Sequence, residues 1–157
     1  VRPRHLPVVV LMVLVASAAC GGSGGGRGAG GPAPAGVSAA MAPAAAVEQF
    51  MGFAAQQRYT EMGYVFGTAR GPLAQQQSPD RVIRRMQAIA TVLRHDTYAM
   101  TGVVPVAGRA DARQVTVQLR QGQNTVNVPF TVVQGPGGRW LVEIVDLEAA
   151  MASGRRS

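Results

Sequence analysis

The stretch Ala112-Arg113-Gln114-Val115-Thr116-Val117-Gln118-Leu119-Arg120 decides the fold. Side chains of an extended chain alternate between two faces, so Val115, Val117 and Leu119 fall on one and Gln114, Thr116 and Gln118 on the other. Such a strand needs partners, and its neighbours supply them. Tyr98 to Val106 reads as the strand before it, joined through the turn Gly108-Arg109-Ala110-Asp111. Gln121-Gly122-Gln123-Asn124 turns the chain into Thr125 to Val133, with Val126, Val128, Phe130 and Val132 inward. Pro129 points outward and has no N–H to donate, which predicts an edge position or a bulge. After Gly135-Pro136-Gly137-Gly138, Arg139 to Leu147 is the last strand. Trp140, Val142 and Ile144 share one of its faces; Leu141, Val145 and Leu147 share the other. Apolar residues on both faces predict a central strand, or one whose outer face meets a partner such as a second copy.

Upstream the period becomes helical. Ala44 to Gln57 places Val47, Phe50, Met51 and Ala54 on one apolar face. Tyr59 to Phe66 is a second short helix, with Met62, Tyr64 and Phe66 available for burial. A third helix starts at Ser78-Pro79-Asp80, where serine suits the N-cap, proline the first helical position and aspartate the positive helix end. Val82, Ile83, Met86, Ile89, Ala90 and Leu93 make its apolar stripe, with Arg81, Arg84, Arg85 and Arg94 off it. The fold class that follows is α+β: about three N-terminal helices packed on a curved four-stranded antiparallel meander sheet, spanning 44–150. Residues 151–157 read as a disordered tail.

The first 43 residues cannot join that core. Leu6 to Ala16 is an apolar run behind a basic n-region, and the run ending at Ala19 has about 14 residues, short of the roughly 20 that span a bilayer. Residues 1–19 therefore read as an export signal. Val15-Ala16-Ser17-Ala18-Ala19-Cys20-Gly21-Gly22 resembles the lipobox of bacterial lipoproteins, in which lipid is attached to the cysteine, here Cys20. Ala18 and Ala19 fit that pattern; Ser17 stands where leucine is usual. Ala16-Ser17-Ala18 also satisfies the small-x-small rule for ordinary cleavage, which would release a soluble protein. Residues 20–43 are rich in glycine, proline and alanine and read as a flexible tether with a span of roughly 25 Å.

Cleavage before Cys20 removes Arg2 and Arg4 and no acid, so the net charge falls from +7 to +5. That suits a site beside anionic membrane or polymer surfaces. No basic run is interleaved with aromatics, so nucleic acid is not an expected partner. A single cysteine excludes an internal disulfide and any zinc site built from several cysteines.

The order of elements, closing on Gly138-Arg139-Trp140-Leu141-Val142-Glu143-Ile144, resembles the nuclear transport factor 2-like superfamily over about residues 44–150. The resemblance implies a cone with a pocket between helices and sheet. It departs from the superfamily pattern in the hairpin between the second and third helices, which is missing or collapsed into residues 67–77. The superfamily includes isomerases and dehydratases, whose catalysis needs ionisable groups inside the cone. The inward positions here are valine, leucine, isoleucine, phenylalanine and tryptophan, and the enzymes' residues do not map onto them.

Few residues invite chemistry. His95 is the weak catalytic candidate: Asp96 beside it points elsewhere, and a dyad would need Tyr98 or Tyr64. At a helix end its cation would instead complement the dipole. Arg81, Arg84 and Arg85, with Arg94 further on, are candidates for an acidic partner or phosphate head groups, and Arg70, in the loop Gly67 to Gly71, for an anion cradle. No metal site and no cofactor is expected. The expectation is a lipid-anchored envelope protein, facing the periplasm or exterior, that acts by binding without catalysis. Its partners would be the membrane, through lipid on Cys20, and a protein or second copy at the outer sheet face (Leu141, Val145). The alternative is a lyase- or isomerase-type enzyme using the cone pocket.

Overall fold

The computed structural model describes residues 32–152. Helices α1 (Pro43–Ala55) and α2 (Tyr59–Val65) come first. A minimal hairpin, β1 (Gly67–Thr68) and β2 (Gly71–Pro72), and one 3-10 turn lead into α3 (Pro79–Val92). The meander follows as β3 (Thr97–Val106), β4 (Arg109–Gln121), β5 (Asn124–Gln134) and β6 (Trp140–Val145). A short helix α4 (Leu147–Met151) ends the described chain. The main sheet is antiparallel in the order β3-β4-β5-β6. The fold is α+β, three N-terminal helices on a four-stranded antiparallel sheet.

The alternation in β4 sets the sheet's inner face. Val115, Val117 and Leu119 are fully buried and pair with Phe130, Val128 and Val126 of β5. Against them lie Val47, Phe50 and Met51 of α1, Met62 of α2, and Val82, Met86 and Leu93 around α3. Phe50 joins the two layers. Its ring meets Phe130 edge-on at 6.2 Å and Phe66 at 5.9 Å. Burial of each such ring contributes about 2–3 kcal/mol, more than any surface contact in the molecule.

The structure corrects several expectations. Residues Arg109–Asp111 are strand, not turn; the hairpin turns on Ala107-Gly108 alone. Ser78 occupies the N-cap of α3 but makes no side-chain cap bond; its carbonyl accepts from the amides of Arg81 and Val82 at 3.1 Å each. Pro129 lies in an inner strand, without a bulge opposite β4. The pairing of β5 with β6 stops at Phe130, and the Pro129 carbonyl accepts from Asp146 at the end of β6, so the missing N–H falls where the ladder runs out.

β6 is the last strand in the order, not a central one. Its alternation breaks at Glu143. Val142 opposes Val132, but Ile144 opposes Thr131, so Glu143 is the extra residue of a bulge. The bulge reverses the phase. Val145 turns to the inner face opposite Phe130, and Ile144 turns out with 54 % exposure. Leu141 is only 1 % exposed: it lies opposite Val133, itself opposite Ala112, and all three are buried away from the main core. Leu141 and Val145 therefore make no exposed outer patch.

Two segments cover the free edge of β6. Phe66 forms a parallel bridge with Val142, and the Trp140 amide donates to the Ala40 carbonyl at 2.7 Å. This revises the expected tether. Residues 20–31 lie outside the described residues, but Ala40 is buried, Ser38 accepts from Gln49, and the Ala35 carbonyl accepts from Arg58. The stretch from Ala35 to Ala40 is thus part of the domain. α4 is also new. Asp146 is its N-cap and accepts from the Ala149 amide at 2.9 Å, and Ala150 is buried in the core.

Candidate functional site

The helices converge on one open cleft of about 490 Å³, between the ends of α1 and α3, the start of α2 and the β4–β5 turn. Ala54 and Ala90 are among the small side chains that line it.

The turn from α1 into α2 shapes one wall. Gln57 has a left-handed backbone, φ 57°, the one positive-φ residue other than glycine among those described. Its amide donates to Ala54 and that of Arg58 to Phe53, which is the paired closure of a Schellman turn. Arg58 then folds back. Its guanidinium pairs with Glu61 at 2.9 Å, donates to the Ala35 carbonyl, and lies 4.9 Å from the Phe53 ring centre.

The opposite wall is a knot of polar contacts between the end of α3 and the β4–β5 turn. The Asp96 carboxylate accepts from the Gly122 amide at 2.8 Å, and the Asp96 amide donates to Arg120. The Gln121 amide group donates to the carbonyls of Arg94, at 2.7 Å, and Val92. His95 sits half-buried among these groups. Its Nδ1 donates to the Leu93 carbonyl at 2.8 Å. The ring stands edge-on to Tyr98, centres 5.1 Å apart at 84°. Burial, with the nearby Glu48 charge, raises the Tyr98 phenol above its ordinary value.

His95 is thus past the last turn of α3 and lines the cleft together with Asp96. The two do not form a dyad, because Asp96 is spent on Gly122 and His95 Nδ1 on a carbonyl. Of the two distant partners considered, Tyr98 meets His95 ring to ring. Gln57, Tyr59 and Gln121 also line the cleft. They come from two distant segments, the α1–α2 turn and the end of β4, so only a tertiary contact reveals them.

The arginine candidates lie elsewhere. Arg81, Arg84 and Arg85 are exposed on α3, opposite its buried Val82, Met86 and Ile89. The Arg85 guanidinium rests 5.0 Å from the Phe66 ring centre. Arg70 is exposed at the tip of the β1–β2 hairpin, where its amide donates to Thr68. That loop is a tight pair, Gly67 facing Pro72 and Thr68 facing Gly71, rather than an open arc of amides. Cys20 lies outside the described residues. Among the described residues no helix is long and apolar enough to cross a membrane, and no three His, Cys, Asp or Glu side chains cluster as metal ligands. Comparison with protein-family models, curated proteins and solved structures returned no match.

Proposed function

We propose that this chain is an exported bacterial lipoprotein, cleaved before Cys20, carrying lipid on that residue, and acting in the cell envelope by binding. Residues 20–31 are the tether on this reading. The folded part is a nuclear transport factor 2-like domain. The order helix, helix, small hairpin, helix and four-stranded meander supports that resemblance.

One observation carries binding over catalysis. The polar groups around the cleft already hold the protein together: His95 Nδ1 on Leu93, Asp96 on Gly122, and Gln121 on Val92 and Arg94. An active site needs at least two ionisable groups converging on one reacting atom. Here the interior between helices and sheet is filled by apolar side chains, and the cleft is lined by the His95 imidazole, Arg94 and Asp96 beside aromatic and amide groups. Such a lining suits a small, partly apolar ligand.

The mass of the mature N-terminus tests the anchoring, measured beside membrane fractionation of wild type and Cys20→Ala. A diacylglycerol-modified Cys20, and loss of membrane association in the variant, are expected. An unmodified N-terminus would remove the anchor. Turnover of any small carbonyl or hydroxy compound that His95→Ala abolished would restore the enzyme reading.

A further inference from the structure

α3 carries Arg81, Arg84 and Arg85 at positions i, i+3 and i+4, three exposed residues on one side of the helix, of which Arg85 also rests its guanidinium on the Phe66 ring. Among the described residues no carboxylate lies within ion-pair distance of any of them. Asp80, one turn before Arg84, does not pair with it. Glu61, on the helix packed against α3, is already paired with Arg58. Like charges at this spacing repel one another and cost the helix a few tenths of a kcal/mol per pair. A planar array of anions outside the molecule removes that cost and replaces it with attraction.

We infer that this face of α3 docks the domain on the anionic headgroups of a bilayer. The choice of a bilayer as the occupant rests on the lipid anchor proposed above. The described chain begins at Pro32, three residues before Ala35, which is held by Arg58 beside the start of α2 and the cleft at the far end of α3. Twelve residues, Cys20 to Gly31, precede it there. A glycine-rich chain of that length spans roughly 20 Å. Arg81 lies about 17 Å back along α3 from Val92, at 1.5 Å per residue. An anchor at Cys20 thus leaves the arginine face within reach of the same membrane. The face is suited to lying flat: Ala88, the next residue along it, is small and exposed, while the apolar stripe faces the core. Arginine in particular forms bidentate bonds to phosphate oxygens.

The test uses the full chain with Cys20→Ala, so that attached lipid plays no part. Its partition is measured on vesicles of phosphatidylcholine alone and of phosphatidylcholine mixed with phosphatidylglycerol, and the ratio of the two is the readout. R81Q/R84Q/R85Q is expected to lower that ratio by roughly a hundredfold, at about one Lys/Arg-equivalent of surface attraction per residue. R81K/R84K/R85K should keep most of it, and high salt should abolish it. R70Q/R94Q/R120Q removes as much charge from exposed arginines on the β1–β2 hairpin, after α3 and on β4, and should leave the ratio close to wild type. Equal losses in the two glutamine variants would mean that net charge alone acts, and would overturn the proposal. So would an unchanged ratio in R81Q/R84Q/R85Q, or displacement from anionic vesicles by soluble polyglutamate at equal charge, which would make an acidic polymer the occupant. None of these outcomes depends on whether Cys20 is lipidated, so a failure of the anchor and a failure of the docking face are read separately.

Discussion

β6 and β3 end the same sheet at opposite edges, and the chain finishes them in different ways. The β6 edge is covered by other parts of the fold, through the Ala40 carbonyl on Trp140 and the Phe66 bridge to Val142. Among the described residues no strand pairs with the outer edge of β3, and local irregularity blunts it. Thr101 is an extra residue between Met100, which opposes Val117, and Gly102, which opposes Thr116. Pro105 removes a donor further along. Bulges and prolines are common protections of an edge that nothing covers. The burial differs accordingly. Val103 opposes the fully buried Val115, yet is 46 % exposed, and its neighbour Val104 is 50 % exposed. The helices lie over β4, β5 and β6, so strand phase alone does not decide which apolar residues reach the core.

The sharpest way to break this contrast is at the covered edge. Phe66→Ala removes the ring that packs on Phe50 and supports Arg85, at the residue whose backbone bridges Val142. It is expected to cost about 3–5 kcal/mol in urea unfolding. A loss below about 1 kcal/mol would show that the β6 edge does not depend on it. Gly67→Ala comes next. A Cβ there would meet the Gly71 carbonyl and lie 2.8 Å from the Pro72 Cα, both backbone atoms that cannot rotate away. The expected cost is about 1–3 kcal/mol.

At the open edge the effects should be small. Val104→Lys is expected to change stability by less than about 0.5 kcal/mol, since half of the side chain is already in water, and to lower any self-association seen by light scattering. A large loss would mean that this edge is covered in solution. Tyr98→Phe, also on β3, should be silent at neutral pH. Below about pH 10 the phenol is protonated in both folded and unfolded chains. As pH rises above that value the unfolded chain ionises first, because the folded phenol is raised, so wild-type stability falls. The variant should lose less than wild type over that alkaline window, and parallel losses would argue against the shift.

How far the sequence reads depends on where information is local. The Val115, Val117 and Leu119 alternation, the Ser78-Pro79 helix start and the glycine turns each carry their own signal within a few residues. The bulge at Glu143 carries none that alternation reveals, so alternation puts Ile144 on the wrong face. Asp146 reads as an ordinary acid after a strand until Ala149 is seen to donate to it. Ala35 to Ala40 has the composition of a linker, yet β6 needs an acceptor for Trp140 and finds it at Ala40. The cleft is illegible for the same reason, because its lining comes from three stretches, 54–59, 90–96 and 121–122, that meet only after packing.

The sequence by itself determined the α+β class, the order of elements and the inner faces of β4 and β5, because hydrophobic period is a property of neighbours along the chain. It also carries the Cys20 context on which the proposed anchoring stands. The tertiary structure alone decided which edge is covered, which way Ile144 and Val145 turn, and where His95 sits. Those outcomes follow from hydrogen bonds and packing between distant segments, whose energies no local pattern records.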